Sequence, residues 1–451
     1  MIKFRAILAL CFVGCLIPDS AMARQWSLKD CVDYALANNI SLQKSRLQKL
    51  SAKEDYLLSK AELLPSLSAS TSHNLTYRPW PENGSATVAN GYVQASIDKV
   101  YYNGSYGINT NWTVWNGNRN HNTVKLNAIS EKKAELDSAV TANSIQEQIA
   151  QLYVQILYSA EAIKVHKASL ETSKMNEERG KAFVDVGKMS KADLAQLTTQ
   201  RAQDEYSIVE SESNLRNYKR QLKQLLQITD EEEFDVVIPE LTDEMALQEI
   251  PLLHSVYMSA LDNRPEIKNA QLALNSNDLT LKIEKARRLP TVGFNASAIT
   301  NTTSMSKNGW DNQMKNNFNL GAGFNVSIPL FDNRAAKTAV NKAIIQRQTY
   351  ELDLRDKRTA LYSTIENFWL QAVTNQNKFK AAKVATESAE TSYEMLSGKF
   401  QESLINIVEL MKGRDAVIQA KQNELQSKYL SILNIELLHF YQDGKIKGTR
   451  D

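Results

Sequence analysis

What this chain lacks says more than what it holds. Beyond its first residues, no segment reaches the roughly 18 to 20 uninterrupted apolar residues that a membrane-crossing helix requires. An integral form is therefore restricted to a β-barrel, the other structure that satisfies every backbone polar group inside lipid. An excess of one charge is also missing: 53 Lys and Arg stand against 51 Asp and Glu, which argues against a nucleic-acid partner chosen by bulk charge. No H-E-x-x-H, nucleophile elbow or Walker loop occurs, and the 5 histidines are scattered. The chain is accordingly expected to catalyse nothing and to need no cofactor or metal.

Cysteine is nearly absent. Two of the 3 cysteines, Cys11 and Cys15, fall in an opening segment that reads as a secretory signal. Lys3 and Arg5 precede an apolar run from Ala6 to Ile17, and Ala21-Met22-Ala23 supplies a small-x-small cleavage site, so cleavage is expected after Ala23. Phe12-Val13-Gly14-Cys15 also allows a lipoprotein reading in which Cys15 is acylated. Cleavage after Ala23 leaves Cys31 alone, and no intramolecular disulfide is then possible.

Proline and glycine are scarce where it matters. All 9 prolines lie outside Glu82 to Ile238 and Leu330 to Asp451, and glycine is missing from Asn118 to Arg179, Lys188 to Val292 and Asn325 to Ser397. Because proline costs a helix interior about 3 kcal/mol, such intervals are where very long helices can persist. Ile149, Ile156, Ile163 and Leu170 recur every seventh residue, with Ile145, Leu152, Ser159 and His166 as the companion series. This is a coiled-coil seam with two polar members. Leu404, Met411, Ile418, Leu425 and Ile432 repeat it later. A helix from Asn118 to Arg179 would be about 90 Å long. Gly180 and Gly187 mark its reversal, and Gly398 and Ser403 mark the matching reversal near the end of the chain.

Between these stretches the period changes to two. Phe318, Leu320, Ala322, Phe324, Val326 and Ile328 alternate with small or polar residues, as do Tyr106, Ile108, Thr110, Trp112 and Val114. Leu67 to Tyr77 and, more weakly, Val292 to Ala298 do the same. Alternation over about ten residues is the mark of a transmembrane strand, although a half-buried strand of a soluble sandwich gives the same pattern. Phe318, Leu320, Phe324, Val326, Ile108, Trp112 and Val114 are the expected lipid-facing residues. Residues 78–104 and 304–316 read as connecting loops, and His73 as a wall residue near an interface. Four strands cannot close a barrel, whose smallest membrane form has about eight, so an embedded protein of this kind must oligomerise.

The chain also repeats itself. Ala35-Leu36-Ala37-Asn38 matches Ala260-Leu261-Asp262-Asn263, and in the same frame Leu64-Pro65 meets Leu289-Pro290. Each half reads helix, Leu-Pro, strand, loop, strand, long helix, hairpin, helix. The expected division is a signal peptide 1–23, a first repeat 24–228, an equatorial linker 229–250 that includes the acidic Asp230 to Glu240, a second repeat 251–443 and a tail 444–451.

In this arrangement the chain resembles the TolC-type outer-membrane efflux family. Ser27 to Asn39 is similar to the family's opening helix, Ile328 to Arg334 to its strand-to-helix turn, and Phe400 to Met411 to its periplasmic tip. The resemblance implies a mainly α fold with transmembrane β: a homotrimer with a twelve-stranded barrel in outer-membrane lipid, continuing into a twelve-helix periplasmic tunnel. It further implies an exit duct that docks, through a periplasmic adaptor, onto an inner-membrane pump, with the tips at Gly180, Gly187, Gly398 and Ser403 as docking points. Glu409 takes the place of the family's constriction acid and Asp193 that of its first-repeat counterpart, so three copies of each would form carboxylate rings favouring cations. Lys412 stands where relatives carry a second acid, Ile405 where they carry a gate-locking Arg, Phe400 for Tyr and Ser403 for Gly. A closed state held by apolar contacts of Phe400, Leu404 and Ile405 is therefore expected. A periplasmic coiled-coil adaptor is the alternative, but adaptors carry one hairpin flanked by β-domains, not two hairpins and two strand pairs.

Overall fold

The computed structural model describes residues 25–80, 88–89, 92–93, 99–229, 234–239 and 241–446. The expected leader 1–23 with Cys15, parts of the 78–104 loop and of the acidic linker, and residues 447–451 of the tail lie outside the described residues.

Where proline and glycine are missing, the chain is helical. In order, the elements are β1 (Gln25–Trp26), α1 (Leu28–Asn38), α2 (Ile40–Ala61), β2 (Ser66–Tyr77), β3 (Val88–Ala89), β4 (Tyr92–Val93), β5 (Val100–Trp115), α3 (Arg119–Asp185) and α4 (Lys191–Leu226). The second half continues with β6 (Asp235–Val236), α5 (Asp243–Ala246), α6 (Leu253–Asn263), α7 (Pro265–Ala286), β7 (Thr291–Thr303), α8 (Trp310–Asn316), β8 (Asn319–Ser327), α9 (Ala335–Gln401) and α10 (Ile407–Asp443). Helices α3 and α9 are each 67 residues long. The opening helix of each repeat is broken in two. Asn39 ends α1, and its side chain accepts the N–H groups of Ser41 (2.9 Å) and Leu42 (3.3 Å) to start α2. In the second repeat Pro265, fixed at a φ suited to a first helical turn, starts α7.

The described residues form two units, one from parts of Met1–Leu42, Ala142–Ala260 and Ser363–Asp451, the other from Gln43–Thr141 and Leu261–Tyr362. In the first, Ile145, Ile149 and Ile156 of the heptad series are buried with Leu157 of α3, Leu222 and Leu226 of α4 and Cys31 and Val32 of α1, and Leu152 of the series is partly buried against them. Strand β1 pairs in parallel with β6, bringing Trp26 against Tyr34 (edge-on, 5.0 Å) and Phe234. Burial, and then the neighbouring Asp30 charge, push the Cys31 thiol up to about 12, so it stays protonated and unreactive. The last turns of α10 are buried nearly all round, with Leu433, Ile435, Leu437, Leu438 and Phe440 packed inside. Ser431 donates to the Ala246 carbonyl at 2.8 Å and so ties α10 to α5.

The second unit holds one four-stranded antiparallel sheet in the order β2-β5-β7-β8. Three differences from the sequence reading have local causes. Val100 to Gly104, assigned to a loop, belong to β5, because Asn74 to Tyr77 continue the ladder opposite Val100 to Asn103. Residues 304–316 are not only a connection: α8 forms there, and the buried Gln313 bonds Thr303 N (2.7 Å) and Asn308 O (2.7 Å). Phe318 precedes β8 and lies in the turn after α8.

Asp243 at the start of α5 accepts hydrogen bonds from Lys383 (2.6 Å) and Lys428 (2.8 Å), which hold its carboxyl below the usual range. A depressed folded-state value stabilises above the unfolded one and is lost as pH falls through the folded one. Asp243→Asn is expected to cost about 1 kcal/mol at neutral pH, a value kept small because the site is partly exposed. The difference in thermal midpoint from the parent should narrow as pH falls below about 4. A gap independent of pH would refute this role for the ion pairs.

Candidate functional site

The register of the sheet sorts its residues onto two unlike faces. Ala69 opposes Ile108, Ile108 opposes Ala298 and Ala298 opposes Leu320, so one row crosses all four strands with apolar side chains only. The next rows pair Thr110 with Ala296 and Ala322, and Trp112 with Phe294 and Phe324. On the other face Ser68, Asn109, Ser297 and Gly321 form one row, and Ser66, Asn111, Asn295 and Gly323 the next. Among the described residues of this chain nothing covers the apolar face: Leu67 is 76% exposed, Leu320 76% and Phe324 71%. A half-buried sandwich strand would have these residues covered, and the described residues of this chain supply no such cover.

Aromatic residues collect at both ends of the apolar face. At one end the His73 ring lies edge-on to Tyr106 (5.4 Å) and bonds the Tyr102 hydroxyl, while Trp310 of α8 meets Tyr106 edge-on at 6.1 Å. At the other end the indole N–H of Trp112 donates to the Leu63 carbonyl at 2.9 Å, and Phe294 lies 5.1 Å from Phe324. An apolar band bounded by two aromatic girdles is the pattern of a membrane barrel wall. Val114, expected on the apolar face, is the bulged residue of β5; Trp115 opposes Val292 in its place.

The two helical hairpins reverse by one device. At the end of α3, Lys188 N–H donates to Phe183 O (2.8 Å) and Gly187 N–H to Val184 O (3.0 Å), with Gly187 at φ 72°. At the end of α9, Leu404 N–H donates to Lys399 O (2.9 Å) and Ser403 N–H to Phe400 O (3.0 Å), with Ser403 at φ 59°. This is the pairing that closes a helix through one left-handed residue, and Ser403 adopts it without being glycine. Gly180 and Gly398 are not in the turns. Both lie inside helices, and at Gly180 an added Cβ would come within 2.6 Å of Leu197. Gly180 therefore serves close packing of α3 on α4. The second hairpin reverses the arrangement, with Leu396 of α9 against Gly413 of α10.

Directly after each turn comes one of the candidate ring acids. Ser190 caps α4: its hydroxyl accepts Asp193 N–H at 3.1 Å and donates to the Asp193 carboxylate at 2.8 Å. Asn406 caps α10 by accepting Glu409 N–H at 3.0 Å. Both acids lie in the first turn of a helix, where its dipole favours negative charge, Glu409 exposed and Asp193 partly buried. Lys412 is exposed one turn further along. Phe400 is buried in the tip with Leu197, Ile407 and Leu410, its ring 6.2 Å from Phe183. Ile405 packs against the same cluster, whereas Leu404 is exposed.

One polar group here escaped the sequence reading. Arg414 of α10 is buried and bonds Asp204 of α4 and the Ser169 hydroxyl of α3, while Ser173 of α3 donates to the same Asp204 and Gln200 reaches it at 3.2 Å. Nothing in the spacing of Arg414 pointed to a partner so distant in sequence. His166, a polar member of the seam, is half-buried beside Gln422 (3.2 Å), and burial lowers its pKa against the pull of Asp204 and Glu210. Among the described residues no group of three or more His, Cys, Asp or Glu is arranged to hold a metal, and no helix is long and apolar enough to cross a membrane.

The family model described as outer membrane efflux protein matches residues 31–226 and 256–434. The chain is 22% identical over 368 residues to the toxin and drug export protein A of Aggregatibacter actinomycetemcomitans, covering 81% of this chain and 73% of that one. It is 20% identical over 444 residues to the outer membrane efflux protein BepC of Brucella suis, covering 96% and 90%. Among solved structures, the outer membrane protein VceC of Vibrio cholerae superposes with a TM-score of 0.76 at 16% identity, covering 92% of this chain and 96% of that one.

Removing one partner of a buried ion pair leaves the other uncompensated and costs about 3–5 kcal/mol, whereas an apolar pair of similar volume is tolerated. Arg414→Ala is therefore expected to lower the thermal midpoint and open the hairpin ends to protease, and Arg414→Met with Asp204→Leu to recover most of the loss. Equal losses in the single and double variants would refute the coupling.

Proposed function

The chain belongs to the outer membrane efflux protein family, and from that premise we propose that it is the outer-membrane exit duct of an efflux or secretion system. In this role it passes small molecules or exported substrates received from a periplasmic adaptor and an inner-membrane pump. The observation that carries the proposal is the sheet: four strands, one uncovered apolar face between two aromatic girdles, one polar face and two unpaired edges. Inside lipid each open edge would leave backbone groups unsatisfied at several kcal/mol apiece, so β2 of one copy must pair with β8 of another. The family resemblance supports three copies and a twelve-stranded wall. The polar face, rich in Ser, Asn and Gly, then lines a wet lumen. Export past cleavage after Ala23 delivers the chain to the periplasm, and its relatives' names support efflux of drugs or toxins.

At the hairpin ends, Asp193 and Glu409 of each copy ring the entrance. The exposure of Glu409, the partial exposure of Asp193 and their place in a first helical turn support carboxylates available to passing ions. Phe400 and Ile405 stabilise the tip of their own chain, and of these three apolar residues the exposed Leu404 is the one free to meet a neighbouring copy. The duct catalyses nothing and carries no cofactor in this reading.

Reconstitution in planar bilayers tests the proposal. The purified protein should form cation-preferring pores, and Asp193→Asn with Glu409→Gln should weaken that preference; a water-soluble protein without pore activity would end the proposal. Leu320→Arg should cost about 2–4 kcal/mol of stability in lipid, the range for a cation at mid-membrane, while Ser297→Arg on the opposite face should alter conductance with little loss of stability. Equal tolerance of both would contradict the assignment of faces.

A further inference from the structure

Where β7 begins and β8 ends, Thr291 opposing Ser327, a depression of about 500 Å³ is lined by Arg287, Arg288, Arg334 and Lys337 with a single acid, Asp332. That acid is committed, since its carboxylate accepts Ala336 N–H at 2.7 Å and caps α9. Arg287 is paired with Glu284 at 2.6 Å. Among the described residues Arg288, Arg334 and Lys337 have no ion pair, so the hollow keeps a net positive charge, its four cations set against Asp332 and the Glu284 that pairs with Arg287. Beside them Leu330 is 93% exposed and Phe331 85%, and the apolar face continues from there through Val326 and Phe324.

The corresponding place in the first repeat is lined differently. In the frame that aligns Leu64-Pro65 with Leu289-Pro290, Glu62 and Leu63 stand where Arg287 and Arg288 are, and the depression at Leu64 and Pro65 contains no lysine or arginine. The strand-to-helix turns differ in the same sense. The first uses Gly117 (φ 68°) and Asn118 (φ 63°), residues that tolerate the left-handed region, and the second uses Asn333 (φ 50°) and Arg334 (φ 69°). Arginine is strained there; its carbonyl accepts Thr338 N–H at 3.0 Å, as any residue's would, and among the described residues its side chain makes no hydrogen bond in return, so the turn geometry does not explain its presence.

We propose that this hollow binds the phosphate headgroup of an anionic phospholipid, with the acyl chains lying along Leu330, Phe331 and the apolar face. The proposal rests on the reading of the sheet as a membrane wall, on which this end meets the periplasmic-side leaflet. Two guanidinium groups present planar donor pairs suited to phosphate oxygens, and Lys337 adds a point charge.

The test uses the full chain reconstituted in nanodiscs of phosphatidylethanolamine with phosphatidylglycerol as a minor component. Lipids retained after mild detergent extraction are counted by native mass spectrometry, and pore formation is recorded on the same preparations. The parent should enrich phosphatidylglycerol. Arg288→Gln, Arg334→Asn and Lys337→Gln should each lower its retention on the order of fivefold, the effect of one cation near a lipid surface, and the combined variant should lose the preference while keeping its pores. Arg334→Asn restores the residue type used at Asn118, which guards against misfolding. Equal enrichment by the parent and the combined variant would overturn the proposal, as would displacement of the lipid by inorganic phosphate alone. Pores without enrichment count against the hollow only, whereas a parent without pores counts against the channel reading itself.

Discussion

The rest of this protein depends on the hydrogen bonds that its sheet leaves unmade. Each edge of β2-β5-β7-β8 presents a row of backbone donors and acceptors, and the apolar side chains on one face remove water as a partner once that face meets lipid. A soluble protein would blunt such edges with charge, proline or a covering helix. Neither β2 nor β8 carries a charged residue or proline. In the proposed reading, closure through further copies of the same chain is the solution, and the long helices then follow as elements whose apolar stripes also call for neighbours.

Much of this was legible in the sequence because it rests on periodicity. Alternation located the strands within a few residues, and the register then carried Ile108, Ala298 and Leu320 onto one row without exception. The absence of proline and glycine foretold α3 and α9, and the heptad isoleucines of α3 became the core around Cys31. What stayed hidden rests on single local events. The bulge that exchanges Val114 for Trp115 changes no composition, and α8 forms in a segment whose few residues show no helical repeat. Gly180 and Gly398 illustrate an ambiguity of glycine itself: the residue that permits a turn also permits two helices to touch, and sequence alone does not separate the uses.

The hairpin ends combine shared and divergent features. The turn bonds, the side-chain caps Ser190 and Asn406 and the acids Asp193 and Glu409 recur in both repeats at the same spacing. The buried Arg414 and Asp204 occur in one place only, joining three helices through charges that water no longer solvates. Such a group stabilises little in net terms but tolerates few alternative arrangements, so it favours one packing of α3, α4 and α10. The two repeats thus share the bonds of their hairpin turns and differ in the hairpin interiors and at the ends of their strands.

The central claim is that the open edges pair between copies, and cysteine crosslinking tests it most directly. With Cys31 buried, one cysteine on β2 at Ser70 can be combined with a scan of single cysteines along β8 from Leu320 to Val326, and membranes oxidised before extraction. The account predicts that one register of the scan yields a covalent ladder ending at three copies. Protein that stays single at every register, or a ladder without an end, would contradict it.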